Sequence, residues 1–392
     1  MPWKTCELME LRREFVELAL RPGANKSQLC EQFEISRETG YKWIRRYLAD
    51  GEGALADQSK VPKGSPGRTP DSMERLVVAV RTRYGWGGRK TRDLLLNMGE
   101  ENVPATSTMT GIFKRHGLLS ERTEKPNSAP GRFEREAPNE LWQMDFKGHI
   151  AVGNGERRCH PLTVTDDHSR YGLVVEALGG ETRGPVRKVL SRTFRRYGLP
   201  VAILCDNGPP WGSSYPGTVT TLGVWFLELG VDLLHGRPGH PQTQGKEERF
   251  HRTLKMEVLS RRAHWRSFAE CQRAFDEFRE RYNLVRPHDS LGGQEPVSRY
   301  RTSSRKMPER VADMREHYLD DDLTRKIGKL GMTMFQGQTF GIGRGFRGKT
   351  IAFRQVGEAL WEVYFGWKCL GVADLNEPKV NKHKLRSLKP RS

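Results

Sequence analysis

Between residues 141 and 282 the chain alternates between two hydrophobic periods, and this alternation constrains its fold more than any other feature. LWQMDFKGHIAV is typical of one strand, and RRCHPLTVTDDHSRYGLVVEAL of two strands joined by a polar turn. A helix, TRGPVRKVLSRTFRRYG, leads to the apolar strand VAILC, and the mostly helical TVTTLGVWFLELG precedes a short strand, VDLLHG. Further helices are expected from near Gln244 and over 266–282. This succession predicts a layered α/β core over residues 139–300.

Residues 1–58 have the pattern of a small helical module. An amphipathic helix, ELMELRREFVELAL, is followed by a short helix, SQLCEQF, for which Ser27 is the expected N-cap. A further helix, opened by Ser36 and stopped by Gly51, would expose four basic side chains, Arg37, Lys42, Arg45 and Arg46. This is the helix-turn-helix arrangement of DNA-binding proteins. A three-helix packing module without DNA contacts is the alternative.

A second module of the same kind is expected over residues 71–120. Its last helix lies in VPATSTMTGIFKRHGLL, is capped near Ser107 and exposes Lys114 and Arg115. Linkers rich in Pro, Gly, Ser and charge, 59–70 and 121–138, separate the modules from each other and from the core. Two such modules in tandem favour DNA binding over a purely structural role.

The C-terminal part begins with a charged connector over residues 301–324. Residues 325–376 alternate apolar and polar side chains between glycines, which predicts a small antiparallel β-barrel. The last segment, 377–392, is a basic tail that we expect to be disordered.

The net charge of +18 points to a polyanion as the partner. Half of this excess, 19 Lys and Arg against 10 Asp and Glu, lies in residues 301–392. A basic surface that serves only solubility is the alternative, and charge alone does not decide between the two.

Cysteine usage and hydropathy argue against other classes of protein. The six cysteines are far apart in the sequence, which fits neither a disulfide framework nor a zinc-finger spacing and favours a reducing cytoplasm. No apolar run approaches the length of a membrane span, and the first residues are too charged for a secretory signal. We therefore expect neither a membrane protein nor a secreted one.

Carboxylates in the predicted core could support phosphodiester chemistry with divalent cations, which requires them a few ångströms apart on rigid elements. Asp145 lies inside the first strand between apolar neighbours, where an uncompensated carboxylate is costly. Asp206 directly follows VAILC, at the carboxyl end of a strand, although DNG is also a common turn. Asp166 and Asp167 fall between two strands and are expected to complete a hairpin turn instead.

The stretch HPQTQGKEERFHRTLK offers two adjacent glutamates as the third carboxylate. At about 100° per residue, Glu247 falls in the middle of the apolar stripe that should face the sheet. Glu248 falls on a polar, cationic face beside Arg252 and Lys255, where a metal-binding carboxylate and phosphate-binding side chains belong together. The helix phase therefore favours Glu248 as the chemical residue and predicts that it points toward the two aspartates.

Four motifs occur in order at suitable spacing, WQMDFKG, LCDNGPPWG, HPQTQGKEERFHRTLK and YNLVRPHDSLGGQEPVSRY. In them the chain resembles the DDE transposases of bacterial insertion sequences. The nearest match is insertion-sequence family 481, with retroviral integrases as distant relatives, and the resemblance covers nearly the whole chain. It departs from the family at Glu247, where relatives usually carry an apolar residue.

The resemblance implies a ribonuclease-H-like, retroviral-integrase-type catalytic core whose acidic triad is Asp145, Asp206 and Glu248. These carboxylates would hold two Mg²⁺ ions, for which Mn²⁺ substitutes. Lys255 matches the family lysine that contacts DNA near the reacting phosphate. Lys246 and Arg252 lie on the same helix and are expected to contact DNA as well.

The function implied is that of a transposase. It would bind the terminal inverted repeats of its insertion sequence, cleave the DNA ends by two-metal hydrolysis and join the 3′-hydroxyl ends to target DNA. It would act in the bacterial cytoplasm, on the nucleoid, as a homodimer or higher homo-oligomer on double-stranded DNA. Two alternatives stay open: a DNA-binding regulator without catalysis, and a nuclease or resolvase of the same fold that does not join strands.

Overall fold

The computed structural model describes residues 8–57, 67–119, 134–212, 219–236, 245–376 and 386–388. Most of both predicted linkers and most of the basic tail lie outside these ranges. The described chain separates into two units, Met1–Pro70 and Asp71–Ser392. The first unit contains three α-helices, α1 (Leu8–Ala19), α2 (Lys26–Gln32) and α3 (Arg37–Asp50).

Local capping sets the helix ends of the first unit. Ser36 caps α3 as predicted, because its hydroxyl accepts a hydrogen bond from the Thr39 amide at 3.1 Å, and Gly51 ends the helix with φ 72°. The cap of α2 differs from the prediction: the side chain of Asn25, not that of Ser27, accepts hydrogen bonds from the free backbone amides of the first turn. The helix starts one residue before Ser27, so the amide oxygen of Asn25 reaches them first.

The second helical module opens the second unit, with α4 (Asp71–Tyr84), α5 (Gly88–Asn97) and α6 (Thr106–Arg115). Its core is built from fully buried apolar side chains, among them Val77, Leu95 and Met109. The predicted cap of α6 near Ser107 is wrong. The helix begins at Thr106, so Ser107 lies inside its first turn, and the N-cap position is Ala105, which has no side chain that could accept a hydrogen bond.

This module is attached to the α/β core of the same unit. The Trp86 indole donates to the Glu257 carboxylate at 3.1 Å, and the Asn97 amide donates to the Gly293 carbonyl at 3.0 Å. Arg261 reaches back to the Tyr84 carbonyl at 2.7 Å. The module and the core are therefore joined by two half-buried hydrogen bonds and one exposed one, in addition to the chain itself.

The central sheet contains six strands, β1 (Leu141–Phe146), β2 (Ile150–Val152), β3 (Arg157–Asp166), β4 (Gly172–Leu178), β5 (Ala202–Cys205) and β6 (Asp232–His235). The order is β2-β3-β1-β5-β6, and β4 also pairs with β3. The strands β1, β5 and β6 are parallel to one another, whereas β3 is antiparallel to β1, β2 and β4. The single strand predicted over LWQMDFKGHIAV is wrong: it divides into β1 and β2 because Gly148 turns the chain with φ 76°.

Helices cover both faces of this sheet: α7 (Arg183–Tyr197), α8 (Thr221–Glu228), α9 (Gly245–Glu257) and α10 (Phe268–Leu284). Leu162 and Phe194 belong to the cluster that includes α7 and α8, whereas Cys159, Phe250 and Phe278 belong to the cluster with α9 and α10. Alternation along β3 thus separates two apolar layers, and the layered α/β prediction is confirmed. Among the described helices, none combines the length and hydropathy that crossing a membrane would require.

The C-terminal part contains β7 (Leu323–Lys326), β8 (Met332–Phe335), β9 (Gln338–Gly341), β10 (Thr350–Gln355), β11 (Leu360–Phe365), β12 (Lys368–Asp374) and β13 (Arg386–Ser387). They form two open sheets, one ordered β12-β11-β10-β7 and one ordered β13-β9-β8. The predicted closed barrel is not confirmed, because the outer strands of the two sheets do not pair. Instead the sheets enclose a shared core in which Phe335 stacks on Phe353, with ring centroids 3.9 Å apart.

Helix α8 is shared between the central core and the C-terminal core. Leu222 and Phe226 pack in the first, and Val224 and Leu227 pack in the second. The Trp367 indole also donates to the Leu227 carbonyl at 3.0 Å. A helix with two apolar faces requires cover on both sides, which explains why TVTTLGVWFLELG is apolar almost throughout.

We expect Leu227→Ala to destabilise the C-terminal sheets, since it removes a side chain that is 4% exposed from their core. The expected loss is about 2–5 kcal/mol of unfolding free energy, measured by urea denaturation. The matched control is Leu330→Ala, whose side chain is 63% exposed and should cost less than about 0.5 kcal/mol. Equal losses in the two variants would contradict the shared role of α8.

Candidate active site

The register of two neighbouring strands places the first two candidate carboxylates side by side. In the parallel pair, Leu141 lies opposite Ala202 and Gln143 opposite Leu204. If this register is continued by two residues along both strands, Asp145 lies opposite Asp206. Adjacent strands are about 4.8 Å apart, so the two carboxylates lie at one edge of the sheet, at the carboxyl ends of their strands.

Asp145 is the more enclosed of the two, with a side chain that is 27% exposed. Its Oδ1 accepts a hydrogen bond from the Phe146 amide at 2.8 Å. Burial, followed by the fields of Asp206 and Glu181, raises the pKa of Asp145 to about 6, against the effect of that amide and of Lys147. A carboxyl group in this setting would be stabilised as a carboxylate by a nearby cation.

Asp206 is exposed but held in place by its own loop. The Gly208 amide donates to its Oδ1 at 3.0 Å, and the indole Nε1 of Trp211 donates to the same oxygen. On the backbone side, His235 Nδ1 lies 2.8 Å from the Asp206 carbonyl oxygen. The DNG sequence is therefore a turn that also fixes the orientation of a carboxylate.

Asp166 and Asp167 have structural roles, as predicted. Both are 1% exposed. Asp166 accepts hydrogen bonds from the Asn139 amide at 2.7 Å and from the Ser169 amide at 2.8 Å. Asp167 accepts from the Gln143 amide group at 2.7 Å and pairs with the Lys246 ammonium at 2.5 Å. They stabilise the turn between β3 and β4 and hold the start of α9 against it.

Glu247 lies in the seam between α9 and the sheet, as the helix phase predicts, and is 1% exposed. Its Oε1 contacts the Thr163 hydroxyl, and its Oε2 accepts from the Thr165 hydroxyl at 2.5 Å. Burial raises the pKa of Glu247 to about 8, with a contribution from Asp145 and opposed by the two threonines. The side chain is thus a neutral acid at moderately acidic and neutral pH.

The hydrogen-bond count around Thr163 leads to the same conclusion. Its hydroxyl lies 3.0 Å from the Asp145 carbonyl and 2.7 Å from His251 Nε2, in addition to Glu247. One hydroxyl proton cannot serve both a carbonyl and an ionised carboxylate. If Glu247 is protonated, it donates to Thr163, which donates to the carbonyl, and all groups are satisfied.

His251 completes this network as a neutral imidazole. Burial, together with the field of Lys147, lowers its pKa to about 3. Its Nδ1 lies 3.8 Å from Asp145 Oδ2 and its Nε2 lies 3.7 Å from Glu247 Oε1. Because the ring is uncharged, these distances describe packing and not ion pairs.

Glu248 is exposed on α9, as are Arg252 and Lys255. Within the described residues Glu248 forms no hydrogen bond or ion pair. The prediction that it points toward Asp145 and Asp206 is not matched by any described contact, since the neighbouring glutamate is the one linked to Asp145. Its role as the third carboxylate stays a prediction.

The other basic residues predicted to contact DNA differ in their availability. Arg37, Lys42 and Arg45 are exposed on α3, and Arg46 is half-buried with its guanidinium over the Trp43 ring. Lys114 is exposed on α6. Two further candidates are already engaged, Arg115 with Glu74 at 2.8 Å and Lys246 with Asp167. DNA contact by these two would compete with an existing ion pair.

Sequence reasoning missed two residues at this site, Glu181 and Trp211. Glu181 follows β4, whose carboxyl end lies at the same edge as that of β1, and it pairs with His160 at 2.9 Å. The signal for Glu181 was an acidic residue two glycines after the end of a strand, but its use requires knowledge of the strand order. Trp211 carried no recognisable signal beyond its place in LCDNGPPWG.

The aspartate pair fits a hard divalent cation, because both ligands are oxygens and because their mutual field is what a cation would offset. In the described part of the chain no group of three His, Cys, Asp or Glu side chains is assembled closely enough to hold a metal ion. The site therefore consists of two converging carboxylates and an exposed third candidate on the adjacent helix.

Comparisons with protein families agree with this architecture. Integrase core domain models match residues 135–241 and 229–296. A helix-turn-helix domain model matches residues 11–64 and a homeodomain-like model matches 39–112. The C-terminal domain of IS481 family transposases matches residues 322–381.

Relatives with similar sequences come from insertion elements. An IS476 protein of Xanthomonas euvesicatoria, described as an uncharacterized 39.2 kDa protein, is 27% identical over 58% of this chain and 65% of its own length. An IS407 protein of Burkholderia multivorans, described as an uncharacterized 31.7 kDa protein, is 32% identical over 45% of this chain and 58% of its own length. The chain thus spans less than two thirds of either relative.

A solved structure with similarity to the chain is the integrase catalytic core domain of HTLV-2 in complex with magnesium. It is 16% identical, covers 42% of this chain and 99% of its own, and superposes with a TM-score of 0.33.

The matched domains define the class: a helix-turn-helix DNA-binding region joined to an integrase catalytic core. Together with the C-terminal domain match and the insertion-element relatives, these matches show similarity to IS481-type DDE transposases.

We expect Glu247→Gln to change the pH dependence of stability. The folded-state pKa of about 8 lies above the ordinary 4.5, so the stabilisation from the neutral acid is complete below pH 4.5 and is lost as pH rises through 8. Glutamine keeps the shape without titrating. The stability of the variant relative to the native chain should therefore rise across this window by up to about 1.4 kcal/mol per pH unit in urea denaturation. A difference independent of pH would show that Glu247 is not buried as a neutral acid.

Proposed function

We propose that the chain binds the terminal inverted repeats of its insertion sequence, cleaves the DNA ends by two-metal hydrolysis and joins the 3′-hydroxyl ends to target DNA. The observation that carries the proposal is the register that sets Asp145 level with Asp206 within an integrase core. The chain would work on double-stranded DNA as a homodimer or higher homo-oligomer, in the bacterial cytoplasm and on the nucleoid.

Three carboxylates would hold the metal. Asp145 on the central strand, Asp206 after the neighbouring strand and Glu248 on α9 would be the ligands. Two Mg²⁺ ions, or Mn²⁺ in their place, would supply the Lewis-acid chemistry that phosphodiester cleavage and strand transfer require. Asp206 would present Oδ2, because the Gly208 amide and the Trp211 indole occupy its other oxygen.

The choice between the two glutamates follows from their surroundings. Both oxygens of Glu247 are engaged by Thr163 and Thr165, and leaving them would break buried hydrogen bonds. Glu248 is exposed and has no partner among the described residues, so its carboxylate is available as a ligand once DNA and metal are bound. Lys255, on the same side of α9, would contact a phosphate near the reacting one.

We expect Glu248→Gln to abolish end cleavage while binding of the DNA ends persists. Loss of one charged ligand should remove several kcal/mol of transition-state stabilisation, which is about a hundredfold or more in rate. The matched control is Glu247→Gln, one residue away on the same helix, which should retain cleavage near neutral pH. The measurement is cleavage of labelled terminal repeats beside a gel-shift assay of the same variants.

Controls separate this proposal from its alternatives. Native cleavage should require Mg²⁺ or Mn²⁺ and stop in EDTA, whereas end binding should largely survive EDTA. Strand-transfer products exclude a nuclease or resolvase, and cleavage itself excludes a silent regulator. If Glu247→Gln is the inactive variant and Glu248→Gln cleaves, the assignment of the third carboxylate is wrong by one residue.

The two ends of the chain would bind DNA in different ways. The helix-turn-helix modules, assigned to residues 1–58 and 71–120, would supply sequence preference through α3 and α6. The region after residue 300 carries half of the excess positive charge and would hold the DNA backbone. Residues 139–300 between them would carry catalysis.

A basic loop of the C-terminal sheets, GRGFRGK over 343–349, is suited to backbone contact. Arg344 and Arg347 are exposed, and in the described ranges neither side chain forms an ion pair. The loop is pinned by the fully buried Phe346 and by Gly345, where a β-carbon would collide with the Val219 carbonyl. It is therefore held against the segment that leads into α8.

We expect the double variant Arg344→Gln/Arg347→Gln to weaken binding of all DNA sequences. Removing two phosphate contacts should lower the slope of log affinity against log salt by about 2 and leave the preference for cognate ends intact. The matched control is Lys188→Gln/Arg195→Gln, two exposed cations on α7 on the opposite face of the sheet from α9. A loss of discrimination between cognate and random ends would contradict this division of roles.

A further inference from the structure

We propose that Trp211 is a positioning residue for Asp206: it fixes one carboxylate oxygen so that the other is presented to the metal. The inference rests on the proposed function, in which Asp206 is a metal ligand. The indole Nε1 of Trp211 donates to Asp206 Oδ1, and the Gly208 amide donates to the same atom at 3.0 Å. No hydrogen bond reaches Oδ2 from any residue that the structure describes.

Trp211 is also connected to the second aspartate. Its ring is 2% exposed and stacks on Phe146, with centroids 5.2 Å apart and planes 13° from parallel. The amide of Phe146 donates to Asp145 Oδ1 at 2.8 Å. One side chain therefore supports both candidate ligands, Asp206 by a hydrogen bond and Asp145 through the residue that follows it.

The backbone around Trp211 holds the indole in place. The Gly212 amide donates to the Gly208 carbonyl at 2.7 Å, and a β-carbon at Gly212 would collide with the backbone of Asn207. The Thr220 hydroxyl donates to the Trp211 carbonyl at 3.0 Å. This closed turn sets the direction of the N–H bond, which packing of the ring alone would not do.

The chemical consequence concerns the two oxygens of Asp206. Two N–H donors stabilise negative charge on Oδ1 and prevent rotation about the last side-chain bond. The free oxygen then has one direction, which lowers the cost of ordering when a cation binds. Residues that orient metal ligands in this way typically affect metal affinity by about 10–100-fold.

The test is Trp211→Phe, which keeps an aromatic ring against Phe146 but removes the N–H donor. The matched control is Trp142→Phe: Trp142 is fully buried in the same core, and its indole donates to Asn139 Oδ1 at 3.1 Å and not to either candidate metal ligand. Isothermal titration of the full chain with Mn²⁺ should show about tenfold weaker affinity for Trp211→Phe and no change for Trp142→Phe. End cleavage by Trp211→Phe should need correspondingly more Mg²⁺.

The inference would be overturned by an unchanged Mn²⁺ affinity in Trp211→Phe, or by an equal loss of Mn²⁺ affinity in Trp142→Phe. In either case, Mn²⁺ binding by the native chain would leave the proposed function standing. A native chain that binds no divalent cation would overturn both. If Trp211→Phe does not fold, the indole ¹H–¹⁵N signals of the native chain give the answer. One indole signal should shift both on addition of Mg²⁺ and in Asp206→Ala, and the absence of such a signal refutes the role of Trp211.

Discussion

The parallel pairing of β1 with β5 is the constraint on which the site depends. It sets Asp145 level with Asp206, and β4, running in the same direction two strands away, brings Glu181 to the same edge. Burial raises the pKa of Asp145, and the fields of Asp206 and Glu181 raise it further. The strand pairing thus brings these carboxylates to one edge of the sheet, and a bound cation would offset their mutual repulsion.

The two adjacent glutamates lie in different surroundings, although only about 100° of helix rotation separates them. Glu247 occupies the apolar stripe of α9, where an ionised carboxylate would be costly. Thr163 and Thr165 resolve this conflict: both suit a strand, and both offer hydroxyls that a neutral acid can use. Since Glu247 stays neutral, Glu248 is not opposed by a second charge next to it. Environment, not residue type, distinguishes the two side chains.

Several local signals in the sequence predicted local structure correctly. The α9 phase placed Glu247 in the seam, Ser36 and Gly51 bounded α3, and Asp166 formed a turn. Local predictions failed at the caps near Ser27 and Ser107 and at the single strand over LWQMDFKGHIAV. The remaining failures depend on contacts distant in sequence. Closure of the C-terminal strands into a barrel depends on which edges pair, and the positions of Glu181 and Trp211 depend on strand order and on a loop folding back on itself. Periodicity carries none of that information.

Helix α8 connects the C-terminal sheets to the central core that carries the candidate site. It packs in two cores at once, and the segment before it contacts the GRGFRGK loop on one side and Trp211 on the other. Packed interiors transmit displacement because they cannot be compressed. Val219 and Thr220 therefore connect the GRGFRGK loop to the turn that orients Asp206. DNA contact at the loop, as proposed, would act on the same packed arrangement that holds this candidate ligand.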